Sequence, residues 1–227
     1  MSTDAIDCLR TSFREVGKRY GYENVDAEFV AFKDFKISWE RSYRRASFHV
    51  SDYAMDAPKS VMKCLAESIF SKMIGMEGRP YTEEMKDWAL SEEFLTTKQP
   101  LYILRSKNLS GLSRGYVKDL EDSLLRLKEM GLIRNTMNPK LSWTKEMLNS
   151  ETGYCSPLMN VIGISCYFDM EDVPDYVIDF VVYRQCLILE EGRQCFGMEP
   201  KRDYICTETR YPRYSEAMRW LARAHLK

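Results

Sequence analysis

The stretch from Pro174 to about residue 191 constrains this chain more than any other. Proline in a first helical turn gives up no hydrogen bond, so Pro174 predicts the start of a helix. Behind it, Val177, Ile178, Phe180, Val181, Val182, Tyr183, Leu187, Ile188 and Leu189 cover nearly the whole circumference of that helix. A helix that is apolar all round belongs at the centre of a core. The rest of the chain must therefore supply the layers that surround it.

Those layers read as a mixture of helices and strands. Residues 4–20 have helical spacing, with Ile6, Leu9, Phe13 and Val16 near one face. Residues 29–38 and 46–52 read as two strands joined around the polar stretch 40–45. Pro58 predicts another helix start, with Val61, Leu65, Ile69 and Met73 as its buried stripe and Gly75 as its stop. Thr82, followed by Glu83 and Glu84, predicts a capped helix over 82–94, and 96–113 reads as a loop.

Further on, 116–130 predicts an amphipathic helix through Leu120, Leu124, Leu127 and Met130, stopped at Gly131. Residues 141–144 and 160–168 read as strands flanking a polar connection over 145–156. A terminal helix over 215–226 presents Met218, Leu221 and Ala222 and carries His225 in its last turn. This order predicts an α+β fold, with a mixed sheet packed on the buried central helix and an N-terminal extension of two strands and a helix. No internal repeat is visible, and no Gly/Ser/Pro linker separates the extension (1–115) from the second region (116–227), which predicts one compact unit.

Charge and cysteine usage narrow the function classes. With 33 basic and 34 acidic residues the net charge is −1, so no global field draws the chain to nucleic acid or an anionic membrane. The longest apolar runs, 101–104 and 180–183, fall far short of the roughly 18 residues of a membrane span, and no membrane association is expected. The opening MSTDAIDCLRTSF is acidic where a secretory signal needs a basic and then an apolar segment. Seven cysteines without a CxxC pair suit reduced thiols, and the expected location is cytoplasmic.

Several short segments occur in a familiar order. Trp143 is followed by Gly153-Tyr154-Cys155, then by 160–165 (NVIGIS), then by 173–183 (VPDYVIDFVVY), and finally by 211–221 (YPRYSEAMRWL). Together they resemble SprT-like zincins and the minigluzincins, from about Leu120 to the end of the sequence. The resemblance implies a zincin-like fold in which 160–168 is an edge strand beside the active-site helix. It also aligns Arg184-Gln185-Cys186-Leu187-Ile188 with the HExxH zinc motif of those families.

HExxH works because residues four apart sit about 40° apart around a helix, so two imidazoles face one zinc and the Glu activates its water. Here Arg184 and Ile188 stand at the two histidine positions and Gln185 at the glutamate. A guanidinium has no lone pair to donate, an amide is no general base, and Ile188 ligates nothing. The two histidines, His49 and His225, lie far from the motif. Cys186 falls about 200° around the helix from Arg184 and points elsewhere; with Cys195 and Cys206 it reads as a small buried hydrophobe. No metal and no cofactor is expected, and no conventional zinc peptidase. Two alternatives stay open for Arg184: it stands in for the metal's charge, held by Glu208 or Asp203, or it extends to solvent.

Three functional classes follow. Retained scaffold without chemistry implies binding of a protein or peptide partner along the expected edge strand, at Asn160, Ile162 and Ile164. Arg41, Arg44 and Arg45, interleaved with Trp39, Tyr43 and Phe48, are candidates for nucleic acid, although short basic clusters in turns are more often simply solvated. An enzyme with a non-zinc site is the third class, and no nucleophile elbow or phosphate loop supports it.

Overall fold

The structure, a computed structural model, describes residues 3–76, 82–194 and 207–226. The chain falls into two compact units, Met1–Lys98 and Gln99–Lys227. Both mix helices with a small sheet.

In the first unit, α1 (Thr3–Arg19) buries Leu9, Phe13 and Val16, one stripe of the helix. It packs on a three-stranded sheet of order β1-β3-β2, made of β1 (Asn24–Val30), β2 (Ile37–Ser42) and β3 (Arg45–Ser51). β1 runs parallel to β3 and β2 antiparallel to it. Phe48 of β3 links the layers, its ring centroid 4.9 Å from Phe13 and 5.0 Å from Phe70. Phe70 belongs to α2 (Lys59–Met73), which starts after Pro58 as its sequence predicts.

Two expectations need correction here. Residues 29–38 are not one strand: they hold the end of β1, a turn and the start of β2. The stretch 40–45 is largely strand, closed by a tight turn at Tyr43 and Arg44. β2 is exposed along nearly its whole length, so it lacks the apolar alternation by which a strand is read. Likewise 82–94 is not one helix. Thr82 caps α3 (Glu83–Ala89) by accepting the Met85 N–H at 3.3 Å. Ser91 then accepts the Phe94 N–H at 3.1 Å and begins α4 (Glu92–Arg105), which occupies most of the expected loop with Pro100 inside it.

The second unit holds α5 (Leu120–Glu129), β4 (Lys140–Trp143), β5 (Gly153–Ser156), β6 (Val161–Ile164), α6 (Asp175–Gln194) and α7 (Tyr214–Arg223). The sheet order is β4-β6-β5, with β4 parallel and β5 antiparallel to β6. Its core joins Leu120, Leu124 and Leu127 of α5 to Leu141, Ile162 and Ile164 of the sheet and to the apolar faces of α6 and α7. As its composition predicts, α6 is central, with Val177 through Val182 almost all fully buried.

α5 begins four residues later than expected because 116–118 are held by another group. The Asp169 carboxylate accepts the backbone N–H groups of Tyr116 (2.6 Å), Val117 (2.9 Å) and Lys118 (2.9 Å). Asp119 then accepts the Glu121 N–H at 3.0 Å and caps the helix. The predicted stops hold: Gly75 and Gly131 sit at φ 75° and 68°, the left-handed conformation that closes a helix end.

The two units share one topology. In each, a helix leads to a first strand, a hairpin follows, and the third strand lies in the middle, parallel to the first and antiparallel to the second. A fully buried serine ends β3 and another directly follows β6: Ser51 N–H donates to Lys36 O and Ser165 N–H to Thr152 O, both at 3.0 Å. A short 3-10 turn follows in both, Asp52–Ala54 and Cys166–Phe168, and then a helix that starts after proline. Counted from Pro58 and Pro174, the buried positions coincide: Val61 with Val177, Met62 with Ile178, Leu65 with Val181, Ala66 with Val182, Phe70 with Cys186 and Met73 with Leu189. Chain direction and burial repeat where residue identity does not, which hides the repeat from the sequence.

Candidate functional site

Arg184 and Glu208 come together. Arg184 Nε donates to Glu208 Oε1 at 2.9 Å, with the Glu208 side chain 5% and the Arg184 side chain 21% exposed. Beside them Tyr183 donates its hydroxyl to Thr207 O at 3.0 Å, and the Arg184 guanidinium lies 5.7 Å from the Phe180 ring centroid. The carboxylate is thus desolvated and paired. Burial pushes the Tyr183 phenol above its ordinary value. Asp203, the other expected partner, lies outside the described residues, as do Cys195 and Cys206.

The neighbouring positions differ in kind. Gln185 is buried at 5% exposure, and its Oε1 has no hydrogen-bond partner among the described residues. It packs on β5: a Cβ added to Gly153 would lie 3.5 Å from Gln185 Cγ. Ile188 is half-buried. Among the described residues no group of three His, Cys, Asp or Glu is placed to hold a metal ion. Burial drives the thiols of Cys155 and Cys186 up to about 12, so neither carries a free thiolate at neutral pH. Of the histidines, His49 pairs with Glu28 at 3.2 Å. His225 lies past the last turn of α7, at φ 56°, and not within it.

The expected edge strand is not an edge. β6 is the central strand, paired on both sides, and Ile162 and Ile164 are fully buried. Asn160 lies before it, in the hairpin turn, at φ 52°. The reading failed because β5 sits inside 145–156, a stretch too polar and too short to show strand periodicity. β5 is the antiparallel strand at one side of the sheet. Ser165 N–H donates to Thr152 O, so by the alternation of an antiparallel ladder Tyr154 and Ser156 face β6. The N–H and C=O groups of Gly153 and Cys155 face outward. On the opposite side, β4 is covered: Trp143 N–H donates to Leu112 O and its carbonyl accepts from Ser110 N–H, both at 2.9 Å.

β2 is the counterpart of β5 in the first unit. Ser51 N–H donates to Lys36 O, which leaves the backbone groups of Ile37, Trp39 and Arg41 on its outer side. Of the basic cluster, Arg41 bonds Met73 O and Arg44 pairs with Glu23. Arg45 and Lys18 line a groove of about 700 Å³, which also carries Glu23, Asp26 and Glu40.

Sequence reasoning missed two further arrangements. Arg126 of α5 grips Asp179 of α6 with two hydrogen bonds, Nε–Oδ2 at 2.9 Å and a terminal nitrogen to Oδ1 at 2.7 Å. Hydrogen bonding to Asp179 raises the Arg126 pKa. A cleft of about 290 Å³ is lined by Arg134, Asn138, Asn160, Glu190 and Arg193. Neither carries a local motif, since each joins residues distant in sequence.

No family model matches the chain, and no curated protein or solved structure matches it either.

Proposed function

We propose that this protein is a non-catalytic, zincin-like scaffold that binds an extended peptide or protein segment along β5. The carrying observation is that, among the described residues, the outward N–H and C=O groups of Gly153 and Cys155 on β5, beside the central helix α6, have no backbone partner. An added strand completes such a ladder, and the backbone bonds supply affinity without reading sequence. The non-catalytic part is supported by Arg184, Gln185 and Ile188, whose side chains cannot bind zinc or activate water, and by the Arg184–Glu208 pair, which fills the site with a structural contact. The strand order, with an antiparallel strand flanking the helix that carries the replaced motif, agrees with the zincin-like reading.

Nucleic-acid association is the second reading. Arg45 and Lys18 face the groove of the first unit with no carboxylate partner among the described residues. The interspersed Glu23, Asp26 and Glu40 weaken that field.

Selection from a library of extended peptides tests the first reading. Bound peptide should shift the amide resonances of Gly153 and Cys155 and protect them from hydrogen exchange. Binding mapped away from β5, or cleavage of the bound peptide, overturns it. Salt-dependent retention on DNA or RNA without peptide binding favours the second.

A further inference from the structure

A guanidinium is costly to bury without a counter-charge. Arg193, in the last turn of α6, is half-buried, and its partner among the described residues is a neutral one, the Pro157 carbonyl at 3.3 Å. Burial draws its pKa below the ordinary arginine value. The other cation nearby, Arg134, is already paired with Glu190. A cation at a helix C-terminus suits the dipole, which accounts for the sign of the charge there. It does not account for a guanidinium kept half-buried at a cleft.

The cleft is built from fastened parts. Asn160, in its left-handed conformation, donates its side-chain N–H to Asn138 O at 3.1 Å and ties the two wall loops together. Gly192 lets α6 approach the hairpin turn: a Cβ there would stand 2.4 Å from Pro157 Cγ. That approach brings Arg193 to the Pro157 carbonyl. At about 290 Å³ the cleft accommodates a small polar group.

We propose that the Arg193 cleft binds a carboxylate, supplied by an acidic side chain of a peptide lying along β5. The guanidinium fork matches a carboxylate's two oxygens, and among the described residues Arg193 gives only one of its donors, to Pro157. Pro157, whose carbonyl accepts from Arg193, directly follows Ser156, the last residue of β5, so the cleft's guanidinium reaches the end of that strand. The carboxylate site stands on the cleft alone; its peptide source rests on the proposed function.

The full chain, labelled with 15N-arginine, is titrated with sodium acetate, with sodium chloride and with inorganic phosphate. Acetate should give a saturable shift of the Arg193 Nε–H resonance, and the accompanying shift at Arg134, which lines the same cleft, should vanish in Arg193→Gln and saturate only at about tenfold higher acetate in Arg193→Lys. No saturable shift, or the same shift in chloride, overturns the site. Phosphate binding more than about tenfold tighter than acetate overturns the carboxylate assignment. A β5-binding peptide with one glutamate is then compared with its glutamine counterpart. Equal affinity overturns the peptide source, and acetate binding with no peptide bound at β5 sinks the proposed function while leaving the cleft's chemistry standing.

Discussion

Arg184 of α6 holds Glu208, whose side chain is 5% exposed, through one hydrogen bond of 2.9 Å. The pair links the central helix to the segment that precedes α7. A buried carboxylate stripped of its cation costs far more than the intact pair contributes. Arg184→Ala should therefore lower unfolding free energy by about 3 kcal/mol. Replacing both partners with leucine should recover more than half of that loss. Urea denaturation of Arg184→Leu, Glu208→Leu and the double leucine variant, alongside Arg184→Ala, measures this directly. Strict additivity would mean the pair is uncoupled.

Asp169 does for a loop what a cap does for a helix. Its carboxylate satisfies three successive backbone donors, and a Cβ at Gly115 would stand 2.3 Å from its Oδ2. Asp169→Ala should cost about 2–4 kcal/mol, since charge-assisted hydrogen bonds are lost together. Hydrogen exchange should report faster exchange at Tyr116, Val117 and Lys118, with α5 itself less affected. Uniform loss of protection across α5 would point to a different role.

Alkaline pH should destabilise the second unit through its buried thiols. Cys155 and Cys186 have folded pKa values raised to about 12. An unfolded thiol ionises near 8.5–9, so the folded state binds the extra protons above that range. Stability is fully present below it and is lost as pH rises from there towards 12, with a slope approaching about 1.4 kcal/mol per pH unit for each thiol. Cys155→Ser/Cys186→Ala should flatten that slope. At pH 8, peptide mapping after brief alkylation should find Cys8, Cys64 and Cys166, all partly exposed, modified well before Cys186.

Legibility in the sequence followed burial. α1, α2 and α6 were readable because each turns an apolar face or surface into a core, and proline or glycine marks their ends. β2 and β5 were missed because neither shows a buried, alternating face. Missing β5 displaced the expected binding edge by one strand, onto β6. Of the candidate site, Arg184 was legible through the resemblance that sets it at a zinc-ligand position, which offered Glu208 as one of two acidic partners. The Arg126–Asp179 grip and the Arg193 cleft needed the fold, because their parts meet only after α5, α6 and the hairpin pack.

Direction along an open edge yields a sharp test on β2, where side-chain burial interferes least. Trp39 has its N–H on the outer side, whereas Glu40 lies opposite Ser47 with its N–H in the ladder. Proline removes a donor, so it is tolerated where that donor faces solvent and costly where it pairs. Compared with the alanine variant at the same position, Trp39→Pro should cost under about 1 kcal/mol and Glu40→Pro about 3 kcal/mol or more. Thermal or urea unfolding of the four variants reads the difference. Equal costs would show that the outer side of β2 is already engaged, and the case for open edges in this topology, including β5, would lose its counterpart in the first unit.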